Sequence, residues 1–150
     1  MDKYIDFLLK AKKNTYANNS GQILSSRPSS YDQWYEEGDL TYIDSYLGTH
    51  LFTGEEAIWE ANNPVWAMNY TGRVLSDNFS SKVFKRALMH PTAEYPYRGQ
   101  PIYREEDYTY VMDVQGEFDW FAGKESMYYK EELVYELLFH GGKVIDKHFD

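Results

Sequence analysis

The sequence predicts an α+β fold built from one unit that occurs twice, each unit a helix followed by three or four antiparallel strands. Two segments of the chain align with each other, and each is preceded by apolar residues at helical spacing. The remainder of each segment consists of aromatic and β-branched runs separated by turn residues. We expect a single domain over 1–150 with repeats at about 1–75 and 76–150, a pseudo-twofold axis, and two helices packed on the antiparallel sheet.

The duplication is predicted from residues 35–42 and 103–110, which are identical at five of eight positions. With one extra residue placed in the second copy before Asp44, the alignment continues to Gly72 without a gap and sets Asp44 on Asp113. It matches aromatic, glycine and acidic positions alike: Phe52 with Phe121, Gly54 with Gly123, Glu56 with Glu125, Trp66 with Tyr135, Tyr70 with Phe139 and Gly72 with Gly141. Chance matching of tyrosine-rich strands is the alternative explanation.

In the first copy, Ile5, Leu8 and Leu9 recur at helical spacing, and lysines follow at the C-terminal end, where they favour the helix dipole. The polar stretch 14–30 is predicted to be a loop. Strands are expected at 40–47, 51–59 and 65–73, with a turn at 61–64 and a further short strand at 31–36.

In the second copy, a helix is expected to follow Phe79 and to reach Met89, with Asp77 or Ser80 as its N-cap and Pro91 as its stop. Strands are predicted at 108–114, 118–129 and 134–144. The turn and terminus positions are expected at Gly116, 130–132 and 141–142.

Charge and composition exclude several classes of partner. Lys and Arg number 15 against 24 Asp and Glu, which gives a net charge of −9 and disfavours direct binding of nucleic acid or of an anionic membrane. There is no cysteine, and charges interrupt the apolar residues at the N-terminus, so a signal peptide is not expected. We expect a soluble, cytoplasmic protein.

Alternation along the strands predicts a binding site. Glu56 shares a strand face with apolar neighbours, and Glu125 does so in the second copy. Such a glutamate is either satisfied by a tyrosine hydroxyl, by a backbone amide or at a sheet edge, or it binds a cationic or hydrogen-bond-donating ligand in an aromatic cavity. The ligand-binding interpretation assigns the site to Glu56, Glu125, Trp59, Trp66, Tyr70 and Tyr135, near the junction of the two halves. Gly54 and Gly123 are expected at a bulge or a close backbone approach.

Motifs for catalysis and cofactors are missing from the sequence. The four histidines lack metal-ligand spacing, and neither a nucleophile elbow nor a phosphate-binding glycine loop is present, so no metal and no cofactor are expected. Two other functions stay open. One is an acidic protein-interaction role, as in an immunity or inhibitor protein. The other is a carboxylate-dependent hydrolase that uses a pair of acids from the set Asp44, Glu55, Glu56, Asp113 and Glu125. Strand edges and many tyrosines are compatible with a homodimer.

Several strings resemble an uncharacterised bacterial domain family: SSRP at 25–28, YIDSYLG at 42–48, FTGEEAIW at 52–59, PVWAMNYTGRV at 64–74, YY at 128–129 and FHGG at 139–142. Members are catalogued as a domain of unknown function and occur alone or behind an XRE-type helix-turn-helix, which implies a sensor role. This chain has no such helix pair, so direct operator binding is not expected. In architecture the chain is also similar to the duplicated effector-binding domains of multidrug-responsive regulators. That resemblance implies a pocket between two halves that holds cationic drugs through a glutamate and aromatic rings.

Overall fold

A computed structural model describes residues 2–15 and 22–149. Two helices lie within these ranges, α1 (Asp2–Thr15) and α2 (Ser81–Ala87). The strands of the first half are β1 (Gln22–Ile23), β2 (Tyr31–Glu37), β3 (Leu40–Leu47), β4 (Leu51–Glu60) and β5 (Asn63–Val74). Those of the second half are β6 (Ile102–Glu105), β7 (Tyr108–Glu117), β8 (Trp120–Tyr129) and β9 (Glu132–Lys143). The predicted α+β class with an antiparallel sheet is confirmed.

All strands join one open antiparallel sheet in the order β1-β2-β3-β4-β5-β9-β8-β7-β6. Each half contributes a meander, and the halves meet where β5 pairs with β9. In that pair Tyr70 lies directly opposite Phe139, which are the two residues that the sequence alignment matches. The order of the strands therefore reads the same from the two ends of the sheet towards its centre, apart from the short β1.

Two-residue turns join five of the hairpins, whereas three residues, 48–50, connect β3 to β4. Ala61 and Asn62, which connect β4 to β5, both have positive φ, as do Gly38 after β2, Glu106 after β6 and Lys130 after β8. Positive φ in a two-residue turn matches the right-handed twist of the flanking strands. The predicted turn at 61–64 is thus confined to its first two residues, because residues 63 and 64 already pair with β4.

The strand register corrects the alignment of the two halves. Asp44 is the cross-strand partner of Glu56, whereas the partner of Glu125 is Met112. Asp44 therefore corresponds to Met112 and not to Asp113, which is exposed and faces the other side of the sheet. The second half has one residue more between its partners Gln115 and Ala122 than the first half has between Leu47 and Thr53, and it therefore lies around the turn from β7 to β8. The sequence alignment could not locate this extra residue. One placement matches Asp44 with an acid, Asp113, and the other matches it with an apolar residue, Met112.

The core lies on one face of the sheet, because alternate residues of each strand point to that side. Both helices cover this face. Phe7, Leu8 and Ala11 of α1 and Val83 and Ala87 of α2 are buried in the same cluster as the inward residues of the strands. Helix α1 contacts β2 and β3, and α2 contacts β7.

Several boundaries differ from the sequence prediction. Of the predicted loop 14–30, residues 14 and 15 belong to α1, 16–21 lie outside the described residues, and 22–23 form β1. Strand β6 was not predicted. Gly116 belongs to β7, and the turn falls two residues later. Ser80, and not Asp77, caps α2 by accepting a hydrogen bond from the Val83 amide. The helix ends at Ala87, well before Pro91, because Leu88 makes the C-cap.

Candidate functional site

A pocket of about 450 Å³ opens on the helix-covered face of the sheet. Its floor comes from β2 to β5, and its walls come from the end of α1, from α2 and from Arg98 in the segment before β6. Its aromatic lining consists of Tyr42, Tyr46, Phe52, Tyr70, Phe79, Phe84 and Tyr135. Residues of both halves therefore meet around one cavity, whose volume is in the usual range for small-molecule sites.

A row of polar side chains crosses the floor of the pocket. Gln33, Asp44 and Glu56 are register partners on the adjacent strands β2, β3 and β4, so they stand side by side on one face. All three line the pocket. The side-chain oxygen of Gln33 is buried and has no hydrogen-bond partner among the described residues. This row gives an otherwise aromatic cavity a floor of hydrogen-bond acceptors.

Glu56 is 2% exposed and is held by two groups. The Tyr42 hydroxyl donates a hydrogen bond of 2.6 Å to its Oε1, and the Lys12 Nζ lies 2.7 Å from the same oxygen. Lys12 also donates to the Tyr97 carbonyl at 2.8 Å, which fixes the end of α1 over the sheet. A buried carboxylate is tolerated when it is paired and hydrogen-bonded in this way.

Glu125 has no exposed surface and is more completely satisfied. Arg98 donates hydrogen bonds from Nε and Nη2 to its two carboxylate oxygens, at 3.1 Å and 2.8 Å. The hydroxyls of Tyr110 and Tyr135 donate to it as well. Each glutamate thus accepts a hydrogen bond from a tyrosine of the preceding strand and forms an ion pair with one cation. Burial of both acids follows the alternation that the sequence shows.

Asp44 differs from both glutamates because no cation forms an ion pair with it among the described residues. The Tyr70 hydroxyl donates a hydrogen bond of 2.6 Å to its Oδ1. Burial, together with the negative charge of Glu56, raises the pKa of Asp44 to about 7. Burial also raises the pKa of Tyr70 well above its ordinary value, so this hydroxyl stays a donor. Asp44 can therefore offer either a proton or a negative charge to a bound group near neutral pH.

Glycines make room for the aromatic walls. A Cβ on Gly54 would lie 2.6 Å from the Tyr70 hydroxyl and 2.5 Å from the Tyr46 Cβ. On Gly72 it would lie 2.5 Å from the Phe52 ring, and Gly123 gives the same room to Phe139. The predicted close approach at Gly54 and Gly123 is therefore observed, but it involves aromatic side chains. The bulges occur elsewhere, between residues 58 and 59 and between 127 and 128.

The structure brings three of the six predicted site residues to the pocket, namely Glu56, Tyr70 and Tyr135. Glu125 is enclosed behind Arg98. Trp66 is fully buried, stacks on Phe118 with ring centroids 4.8 Å apart, and donates its indole N–H to the Phe118 carbonyl. Trp59 points to the opposite face of the sheet, where it lines a second pocket with Arg27 and Glu55.

Sequence reasoning missed Lys12, Gln33, Tyr42 and Arg98 as residues of this site. Tyr42 could have been predicted, because the sequence alignment matches it with an identical residue, Tyr110. Each of these tyrosines donates a hydrogen bond to the glutamate of its own half. Lys12 and Arg98 come from an N-terminal helix and from an irregular segment, and their sequence spacing from the glutamates gave no signal. Arg98 also lies over the Tyr70 ring, 5.4 Å from its centroid.

The fold and the pocket define an α+β protein with one open antiparallel sheet whose helix-covered face holds a cavity with aromatic walls and a polar floor. The chain belongs to the family described as Domain of unknown function (DUF5680), whose sequence profile matches residues 44–144, about two thirds of the chain. No curated protein and no solved structure shows significant similarity to it. Among the described residues, no helix has the length and apolar character needed to cross a bilayer, and no group of three or more acidic or histidine side chains could hold a metal ion.

Proposed function

We propose that this protein is a sensor-like module that binds a small aromatic molecule in the pocket between its two halves. One observation carries the proposal, namely a cavity of about 450 Å³ that has aromatic walls and the acceptor row Gln33, Asp44 and Glu56 on its floor. Aromatic surface provides affinity for a flat organic molecule, and a few polar groups orient it. The ligand would place an N–H or O–H donor against Asp44.

The two halves would descend from one duplicated unit. In support, the aligned residues Tyr70 and Phe139 face each other at the centre of the sheet, and the tyrosine–glutamate pair recurs in each half. The halves differ in what covers their glutamates. Arg98 fills the space over Glu125, whereas the space over Asp44 and Glu56 is open as the pocket. If the unit was duplicated and Arg98 then filled the space over the glutamate of the second half, one binding site per chain would remain.

A neutral aromatic amine tests the proposal. N-phenyl-2-naphthylamine has two ring systems, one N–H donor and no charge, and its fluorescence rises in an apolar environment. We expect this probe to bind the unmodified protein saturably. The variant Thr49→Trp places a large side chain at the pocket, which Thr49 lines, and should abolish the signal.

The matched control is Thr71→Trp. Thr71 is exposed on β5 and points away from the pocket, so this variant should bind the probe as the parent does. Circular dichroism would establish that both variants are folded. If the parent does not bind the probe, or if Thr49→Trp binds it as tightly as Thr71→Trp, the proposed function is wrong.

A second candidate function, acid–base catalysis by a carboxylate-dependent hydrolase, is favoured by one observation. Asp44 and Glu56 are cross-strand partners in one pocket, which puts their Cβ atoms about 5 Å apart. Retaining glycoside hydrolases use two carboxyl groups about 5 to 5.5 Å apart, a separation that side chains on a cross-strand pair can reach. A panel of chromogenic glycosides should then be hydrolysed by the parent and not by Asp44→Asn, with probe binding retained. Absence of turnover across the panel would remove this candidate.

A further inference from the structure

We propose that the ligand of this pocket also carries an anionic group, which Lys82 and Lys85 bind at the mouth while its donor reaches Asp44. The inference rests on the proposed function and names the class of ligand, namely an aromatic molecule with an acidic group at one end and an N–H or O–H donor at the other. It differs from the cationic ligand that the isolated glutamates indicate in the sequence.

The cations that line the pocket fall into two pairs. The deep pair is already neutralised, because Lys12 lies 2.7 Å from Glu56 and Arg98 lies 2.8 Å from Glu125. A ligand cation would therefore find both glutamates occupied. Binding it to them would require a buried ion pair to break, which is unfavourable because the displaced cation would be left without its partner.

The outer pair, Lys82 and Lys85, lines the pocket without an acidic partner. Within residues 2–15 and 22–149, no carboxylate lies within ion-pair distance of either amine, although the chain has 24 acidic residues and a net charge of −9. Their neighbour Arg86, which does not line the pocket, is paired with Glu105 at 2.8 Å. The two lysines that face the pocket are thus left with unneutralised charge.

Their spacing on α2 makes the pair a site for one anion. Residues three apart on a helix are neighbours, with Cβ atoms about 5 to 6 Å apart, and like charges at that distance repel. A carboxylate or sulfonate between them would relieve that repulsion and would be partly shielded from water by the aromatic walls. Asp44 lies on the floor, on a different side of the cavity from α2, so one elongated molecule can meet both ends.

Two probes that differ by one charged group test this inference. 6-Anilinonaphthalene-2-sulfonate has the rings and the N–H of N-phenyl-2-naphthylamine and adds a sulfonate at the far end of the naphthalene. We expect it to bind the parent about tenfold more tightly than the neutral probe at low ionic strength, and added salt should reduce only this advantage. The double variant Lys82→Met/Lys85→Met should bind the two probes equally.

Lys143→Met is the control for loss of charge, since Lys143 is exposed at the end of β9 and does not line the pocket. Thr49→Trp controls for binding elsewhere and must lose both probes. If the neutral probe binds the parent but the sulfonate gives no advantage, or if the advantage survives the double lysine variant or the blocked pocket, this inference is wrong and the proposed function stands. If neither probe binds, the proposed function fails with it.

Discussion

The substitution Asp44→Asn removes the ionisation of the acid on the pocket floor that, among the described residues, has no cationic partner. Asparagine keeps the size of the side chain and an oxygen that can accept the Tyr70 hydroxyl. The pKa of Asp44 is about 7 in the folded protein, against an ordinary value of 3.8, because burial and the charge of Glu56 disfavour the carboxylate. The stability of the parent must therefore fall relative to that of the variant as this carboxyl ionises.

The sign and the size follow from linkage between proton binding and folding. A folded state with the raised pKa holds more protons than the unfolded chain between pH 4 and 7, so the stability that protonated Asp44 contributes is fully present below about pH 4 and lost as the pH rises through about 7. At about 1.4 kcal/mol per pH unit the whole loss is about 4 kcal/mol. Of this, about 3 kcal/mol falls between pH 5 and 8.

Urea denaturation followed by circular dichroism at pH 5 and pH 8 measures the effect. Relative to Asp44→Asn, the parent should lose about 3 kcal/mol of unfolding free energy between the two pH values. Asp113→Asn is the matched control, because Asp113 is exposed on β7, and its profile should run parallel to that of the parent. Parallel profiles for the parent and Asp44→Asn would refute the reasoning, since they would mean that Asp44 titrates normally.

Two further predictions concern stability, each measured by the same denaturation assay. Glu125→Gln should cost about 3 to 5 kcal/mol because it leaves a buried guanidinium unpaired, whereas Glu56→Gln should cost about 1 to 3, since Glu56 borders a pocket where water can replace the lost contact. Equal costs would contradict the difference in enclosure. Gly54→Ala should cost about 1 to 3 kcal/mol, because its Cβ would overlap an aromatic side chain. Gly38→Asn, at a turn with φ of 59° and open space around it, should change stability by less than about 1 kcal/mol.

Local patterns were sufficient for much of the fold. The run 40–47 is β3 with its predicted bounds, and Ser80 caps α2 as its side-chain chemistry indicates. The short strand β6 was not predicted because it has only four residues. These residues pair with β7, which follows after a turn. Local sequence also could not place the extra residue of the second half, which only the register of β7 with β8 locates.

Local patterns also predicted part of the candidate site. Alternation along β4 and β8 puts Glu56 and Glu125 on the buried face whatever the surrounding fold, because neighbouring side chains on a strand point to opposite sides. It could not show that Arg98 fills the space over Glu125 and that the corresponding space in the first half stays open.

The sequence by itself determined the class of fold, the strand faces and the two inward carboxylates, since these follow from the period of the backbone and from turn chemistry. Only the tertiary structure decided which cation pairs with each glutamate and that Lys82 and Lys85 stand at the mouth of the pocket. It also decided that Asp44 has no cationic partner in the part of the chain that the structure describes. The reason is distance along the chain. Ion pairs such as that of Lys12 with Glu56 join residues far apart in sequence, and only the packing of the helices against the sheet sets which of them meet.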